Sequence, residues 1–269
     1  MNKSEKGIAL VTGASSGIGA VYAERLARRG YDLILVARNE KKLDGMARHI
    51  AGATGRTVRS MAVDLNDRAG LREVETVLRG KTGLSMLVNN AGLGAVAPLL
   101  DSDVDTMEDM IDLNVTALTR LTYAAVPNLV AQGGGAIINI ASAMAVYPEL
   151  LSGVYGATKA YVLALTFSLH NELADKNIAV QAVLPGAVAT NFWDVAGGDL
   201  SRIASEKVMQ AEDMVDAALS GFDQGELVTI PSLPDRADWD AYEAARQRLF
   251  ANLSRNVPAA RYQIAAAAA

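Results

Sequence analysis

Short, almost continuously apolar runs alternate along this chain with longer stretches whose apolar positions recur at helical spacing. The runs at Gly7–Thr12, Tyr31–Ala37, Thr57–Val63, Leu84–Val88, Gly135–Ile140, Ile178–Leu184 and Leu227–Ile230 predict strands. Tyr31–Ala37 is near-continuously apolar, as a parallel strand buried on both faces should be. Residues 20–29, 39–50, 68 onward, 107–130, 155–175, 211–222 and 239–253 predict helices. Pro127 should kink or end the fourth of these, because it lacks the amide hydrogen that the helix needs. The alternation runs without a Pro- or Ser-rich linker and without an internal repeat. It predicts one α/β domain over residues 1–264, a single doubly wound, mostly parallel sheet with helices on both faces.

One segment breaks the pattern. From 187 to 210 periodicity fades, and Phe192, Trp193, Val195 and Ile203 sit among glycines and polar residues. Such a stretch reads either as a mobile cover over an apolar pocket or as an ordinary loop pinned by an aromatic pair.

Composition narrows the chemistry. Of 269 residues 51% are apolar and 20% charged, which describes a compact soluble protein with a large core. Acidic and basic residues (30 and 25) are mixed along the chain, so no basic stripe offers itself to nucleic acid. There is no cysteine, and the two histidines, His49 and His170, lie far apart, so neither thiol nor metal chemistry is expected. The N-terminal apolar run, Ile8 to Val11, is too short for a signal peptide or a membrane span, and the expected compartment is the cytoplasm. The alanines at 265–269 read as a tail outside the fold.

Candidate chemistry collects at the C-terminal ends of the expected strands. The first ends in Gly13-Ala-Ser15-Ser16-Gly17-Ile18-Gly19 and runs into a helix, a Rossmann-like order of strand, glycine loop and helix. Glycines there let the backbone turn with positive φ and come close to a pyrophosphate at the helix N-terminus; a plain tight turn is the alternative. The second strand ends Ala37-Arg38-Asn39, with no carboxylate where one would bind a ribose 2′-hydroxyl about 20 residues after the loop. Arg38 suits a 2′-phosphate, which favours NADP over NAD, unless it is only the solvated start of the next helix. Asp64, before Leu65, either accepts from an adenine amino group or caps the helix near Arg68. Asn90, in Asn89-Asn90-Ala91-Gly92, is expected to tie neighbouring strand ends together. Asn114, polar among apolar neighbours, is a satisfied core amide or part of a site. Ser142 follows the fifth strand directly. Tyr155 and Lys159 lie one helical turn apart, where an ammonium beside a phenol favours the phenolate.

Taken together, Thr12-Gly13-x-x-x-Gly17-x-Gly19, Asp64, Asn89-Asn90-Ala91-Gly92, Asn114, Ser142, Tyr155-x-x-x-Lys159 and Pro185-Gly186 with Thr190 resemble the short-chain dehydrogenase/reductase family. The likeness runs from Gly7 to about Ile230, with no departure at these positions. It implies reversible hydride transfer between a nicotinamide and a carbonyl or secondary alcohol. Under the resemblance Tyr155 exchanges the proton and Lys159 lowers its pKa and holds the nicotinamide ribose. Ser142 bonds the substrate oxygen, and Asn114 positions a water leading from Lys159 to solvent. Gly13, Ser15, Ser16, Gly17, Ile18 and Gly19 would line the pyrophosphate and adenosine, Asp64 and Leu65 the adenine, and Asn90, Ala91 and Gly92 the ribose. Pro185, Gly186, Val188 and Thr190 would line the nicotinamide amide. A homodimer or homotetramer is implied, with no membrane or nucleic-acid partner. A non-catalytic NADP-binding regulator and a same-fold epimerase or dehydratase are the alternatives.

Overall fold

The computed structural model describes residues 6–80, 82–150 and 153–263; the 265–269 tail lies outside them. In chain order the first elements are β1 (Ile8–Thr12), α1 (Gly17–Arg28), β2 (Asp32–Ala37), α2 (Glu40–Thr54), β3 (Val58–Ala62), α3 (Arg68–Gly80) and β4 (Leu84–Asn89). Then come α4 (Val104–Ile111), α5 (Leu118–Ala131), β5 (Gly135–Ile140), α6 (Gly153–Glu172) and β6 (Ile178–Val183). The remainder is β7 (Ala187–Ala189), α7 (Phe192–Val195), β8 (Val208–Gln210), α8 (Ala211–Asp223), β9 (Val228–Thr229) and α9 (Arg236–Arg248). Contacts divide the chain into two compact units, Met1–Ser232 and Leu233–Ala269. The second carries α9, capped by Asp235 and without a buried residue.

The first unit holds a seven-stranded sheet in the order β3-β2-β1-β4-β5-β6-β9, parallel at every pairing. Continuous apolar strands are what this sheet needs, because successive residues face opposite helix layers. Val11, Leu35 and Val88 pack with α1, α2 and α8 on one face, and Leu10, Ile34 and Leu87 with α3 and α5 on the other. The chain leaves β1 toward β2 and β3 and then returns to place β4 on the other side of β1. At this switch point adjacent strand ends diverge and open a crevice.

Two departures from the expected elements lie beside that crevice. The helix expected over 107–130 is divided by a π-helical segment, Asp112–Ala117, and Pro127 does not end it. Proline removes one amide hydrogen, and the carbonyl four residues back belongs to Tyr123, a residue 64% exposed, so solvent can meet the loss. The aperiodic segment is tied at its base: β7 pairs with β8 in a separate parallel sheet, Ala187 beside Val208 and Ala189 beside Gln210.

Candidate active site

The crevice widens into a cleft of about 1030 Å³ that runs from the β1–α1 loop, past Arg38 and Asp64, to Ser142, Tyr155 and Lys159. Its first end is built by glycine. Gly13 and Gly17 have φ of 67° and 54°. A Cβ on Gly13 would stand 2.7 Å from Asn90 Nδ2, and one on Gly17 would stand 3.1 Å from Thr190. Ser16, at the N-cap of α1, makes no side-chain cap bond, and the first turn carries no acid, so the dipole and amide hydrogens of α1 remain for an anion.

Asn90 holds this loop in place, donating from Nδ2 to Thr12 O at 2.8 Å, while the backbone N–H groups of Asn90 and Ala91 donate to Thr12 Oγ1, each at 3.0 Å. At the tip of β2, Arg38 is 65% exposed and its Nη1 lies 3.9 Å from Asp64 Oδ2, a long and solvated pair of little intrinsic strength. Asp64 does not cap α3. Its Oδ1 accepts from Asn66 N, and the cap belongs to Asp67, which accepts from Gly70 N at 2.8 Å. The glycine cradle, the open helix terminus and an exposed, weakly paired guanidinium at the β2 tip together fit a dinucleotide bearing a 2′-phosphate.

The other end of the cleft is assembled on α6. Tyr155 and Lys159 are both buried one turn apart, beside Ser142 at the end of β5. Ser142 hydrogen-bonds the Tyr155 phenol, and its Oγ accepts from Met144 N at 3.1 Å. Lys159 Nζ donates to Ile140 O at 3.0 Å and lies 5.8 Å from the centre of the Tyr155 ring. Burial pushes the phenol above its ordinary value, and only the Ser142 bond pulls the other way. Burial also acts on the lysine itself, bringing it from 10.5 down to about 8.

Asn114 lies in the π-helical segment with its amide committed. Leu93 N donates to its Oδ1 at 2.9 Å, and its Nδ2 donates to Leu93 O at 2.9 Å and Thr158 Oγ1 at 3.0 Å. The side chain therefore clamps the β4 exit loop onto α6, and both of its amide hydrogens are used in doing so.

Sequence reasoning missed how the aromatic segment is seated. The Phe192 ring lies 5.8 Å from that of Tyr155, centre to centre and tilted by 49°, and meets Trp193 edge-on at 5.8 Å. Trp193 Nε1 donates to Val188 O at 2.9 Å. Gly94 and Gly198 were the available signals, since each is the floor beneath one of these rings. Among the described residues no group of three or more His, Cys, Asp or Glu side chains is placed to hold a metal. No helix among them is long and apolar enough to cross a membrane.

The model of the short chain dehydrogenase family matches residues 7–199, most of the cleft included. The chain belongs to this family. A short-chain dehydrogenase from Sphingobium yanoikuyae, solved in complex with NADPH, is 46% identical and superposes with a TM-score of 0.91, covering 95% of this chain and all of the other. A bulky-bulky ketone specific alcohol dehydrogenase from Comamonas testosteroni is 41% identical with a TM-score of 0.87, covering 95% and 98%. Among curated relatives, very-long-chain 3-oxoacyl-CoA reductase-A of Danio rerio is 34% identical over 208 residues, 76% of this chain. This short-chain dehydrogenase spans only 65% of that protein's length.

Proposed function

We propose that this chain is an NADP-dependent oxidoreductase that reduces a ketone, or oxidises the corresponding secondary alcohol, with Ser142, Tyr155 and Lys159 carrying the proton chemistry. The observation that carries the reading is the buried Tyr155 phenol, bonded to Ser142 and one turn from Lys159, in the same cleft as the glycine loop. The relative solved with NADPH and the one described as ketone specific support it.

NADPH, when bound, would supply the hydride. The β1–α1 loop and the N-terminus of α1 would hold the pyrophosphate, and Arg38, only weakly paired with Asp64, would hold the 2′-phosphate. Asn90, Ala91 and Gly92 would hold the ribose, and Pro185, Gly186, Val188 and Thr190, which line the same cleft, would hold the nicotinamide amide. Ser142 donates to the substrate oxygen. Burial keeps Tyr155 protonated at neutral pH, the form in which it acts as an acid. Its O–H bond breaks as the new O–H bond to the substrate oxygen forms, and the phenolate left behind is met by the Lys159 ammonium, which is itself mostly protonated at pH 7.

Tyr155→Phe is the deciding variant. It is expected to bind NADPH as the wild type does, by fluorescence titration, and to lose turnover of every ketone by more than about a thousandfold. Residual turnover within tenfold of wild type would sink the assignment.

A further inference from the structure

Phe192 occupies a position that the proton chemistry does not explain. Its ring sits on Gly94, where an added Cβ would stand 2.1 Å from Cζ, and it reaches the Tyr155 ring on its other side. Gly94 has no positive φ, so its backbone would accept alanine, and the obstacle to a Cβ there is the Phe192 ring. Tyr155, Phe192 and Trp193 form a chain of three rings running outward from the proton donor. Leu93 and Met144 pack beside it, and Ile203 lines the cleft beyond. Of the charged lining groups of this segment, Asp199 and Arg202 pair with each other at 3.3 Å, Arg202 is 85% exposed, and Lys207 is exposed as well. No buried charge of this segment therefore meets the substrate group attached to the carbonyl.

We propose that Phe192 is a specificity-determining wall that packs against an aryl group joined directly to the carbonyl carbon, so that the substrates are aryl ketones. The inference rests on the ketone reading above and narrows it. Rings prefer offset or tilted partners at the spacing that the Tyr155–Phe192–Trp193 chain already uses, and a flat substituent at the carbonyl extends that chain without rotamer entropy to lose. A flexible alkyl group of equal carbon number fills the space but gains no ring contact and loses more freedom on binding. Gly94 supports this arrangement because it lets the ring drop low enough to leave the carbonyl its approach to Tyr155.

The test compares propiophenone with 2-nonanone, ketones of equal carbon number, and with the anionic ketone levulinate, each with NADPH. Wild type is expected to prefer propiophenone in kcat/KM. Phe192→Ala is expected to cut the preference over 2-nonanone by about threefold to tenfold, the worth of one aromatic pair, with NADPH affinity unchanged. Gly94→Ala, which displaces the same ring, is expected to cut it similarly, and to add nothing once Phe192 is alanine. Retained NADPH affinity in each variant reports an intact fold. If Phe192→Ala slows both neutral ketones equally, the ring is only a loop anchor and the inference is overturned. A wild type that prefers 2-nonanone or levulinate also overturns it, while leaving the proposed function standing. A wild type that binds NADPH and turns over none of the three overturns the proposed function as well.

Discussion

Replacing Lys159 by methionine is expected to stabilise the cofactor-free protein while removing its activity. Lys159 is buried on α6, and burial brings its pKa from 10.5 to about 8. At about 1.4 kcal/mol for each tenfold change in a proton equilibrium, keeping that ammonium in the fold costs about 3 kcal/mol at pH 7. Its bond to Ile140 O, at 3.0 Å, offsets about 1 kcal/mol of this, and methionine fills similar space without a charge. The net gain is about 2 kcal/mol, or a rise in Tm of roughly 4–8 °C for a chain of this size. The sign of the pH dependence follows from which state holds more protons. Below about pH 8 the lysine is charged in both states and the full cost applies. Between about 8 and 10.5 the folded lysine is neutral while the unfolded one keeps its proton, so the stability of the wild type rises with pH. Above that range both are neutral and the cost has gone. Thermal unfolding of both proteins without cofactor, from pH 7 to pH 10, should therefore show a Tm gap that is wide at pH 7 and nearly closed at pH 10. A variant no more stable than wild type at pH 7, or a gap indifferent to pH, refutes the reasoning.

Three further outcomes test other parts of the cleft. Arg38→Ala is expected to weaken NADPH by roughly tenfold to a hundredfold, with far less effect on NADH, because it removes charge-assisted bonds to the 2′-phosphate alone; equal losses in titrations of the two would make Arg38 a bystander. Asn114→Ala strips partners from the backbone of Leu93, and urea unfolding should show a loss of about 2–4 kcal/mol; a loss below about 1 kcal/mol would mean that the clamp is dispensable. Trp193→Phe removes the bond to Val188 O, worth about 1 kcal/mol, so limited proteolysis within 190–207 should run roughly fivefold faster; an unchanged cutting rate would mean that the bond does not hold the segment.

The strands were legible because a parallel strand buried on both faces writes a continuous apolar run, and Ile34 to Val36 is as plain in the sequence as in the sheet. Helix ends were less so. The sequence pattern placed the start of α6 near Tyr155, whereas it begins at Gly153, and the cap of α3 falls to Asp67 although Asp64 was an equal candidate by residue type. The π-helical segment had no period to betray it, and its one trace was Asn114 interrupting an apolar stretch. The strands β7 and β8 are three residues each, too short for a pattern, and pair with each other across eighteen intervening residues, 190–207. For the site, position was readable and electrostatics was not. Spacing placed Tyr155 and Lys159 together on α6, but the pKa of each is governed by burial, which depends on what the rest of the chain packs over them.

Because β7 and β8 pair in parallel, with Ala187 beside Val208 and Ala189 beside Gln210, residues 190–207 leave the small sheet at one end and return to it at the other. The entropy of closing such a span grows only slowly with its length, so a longer or shorter insert would strain the clasp little. The segment is thus open to exchange as a unit. Exchanging it between relatives should transplant a preference for one ketone over another while the glycine loop, Arg38 and the tyrosine go on treating every guest alike.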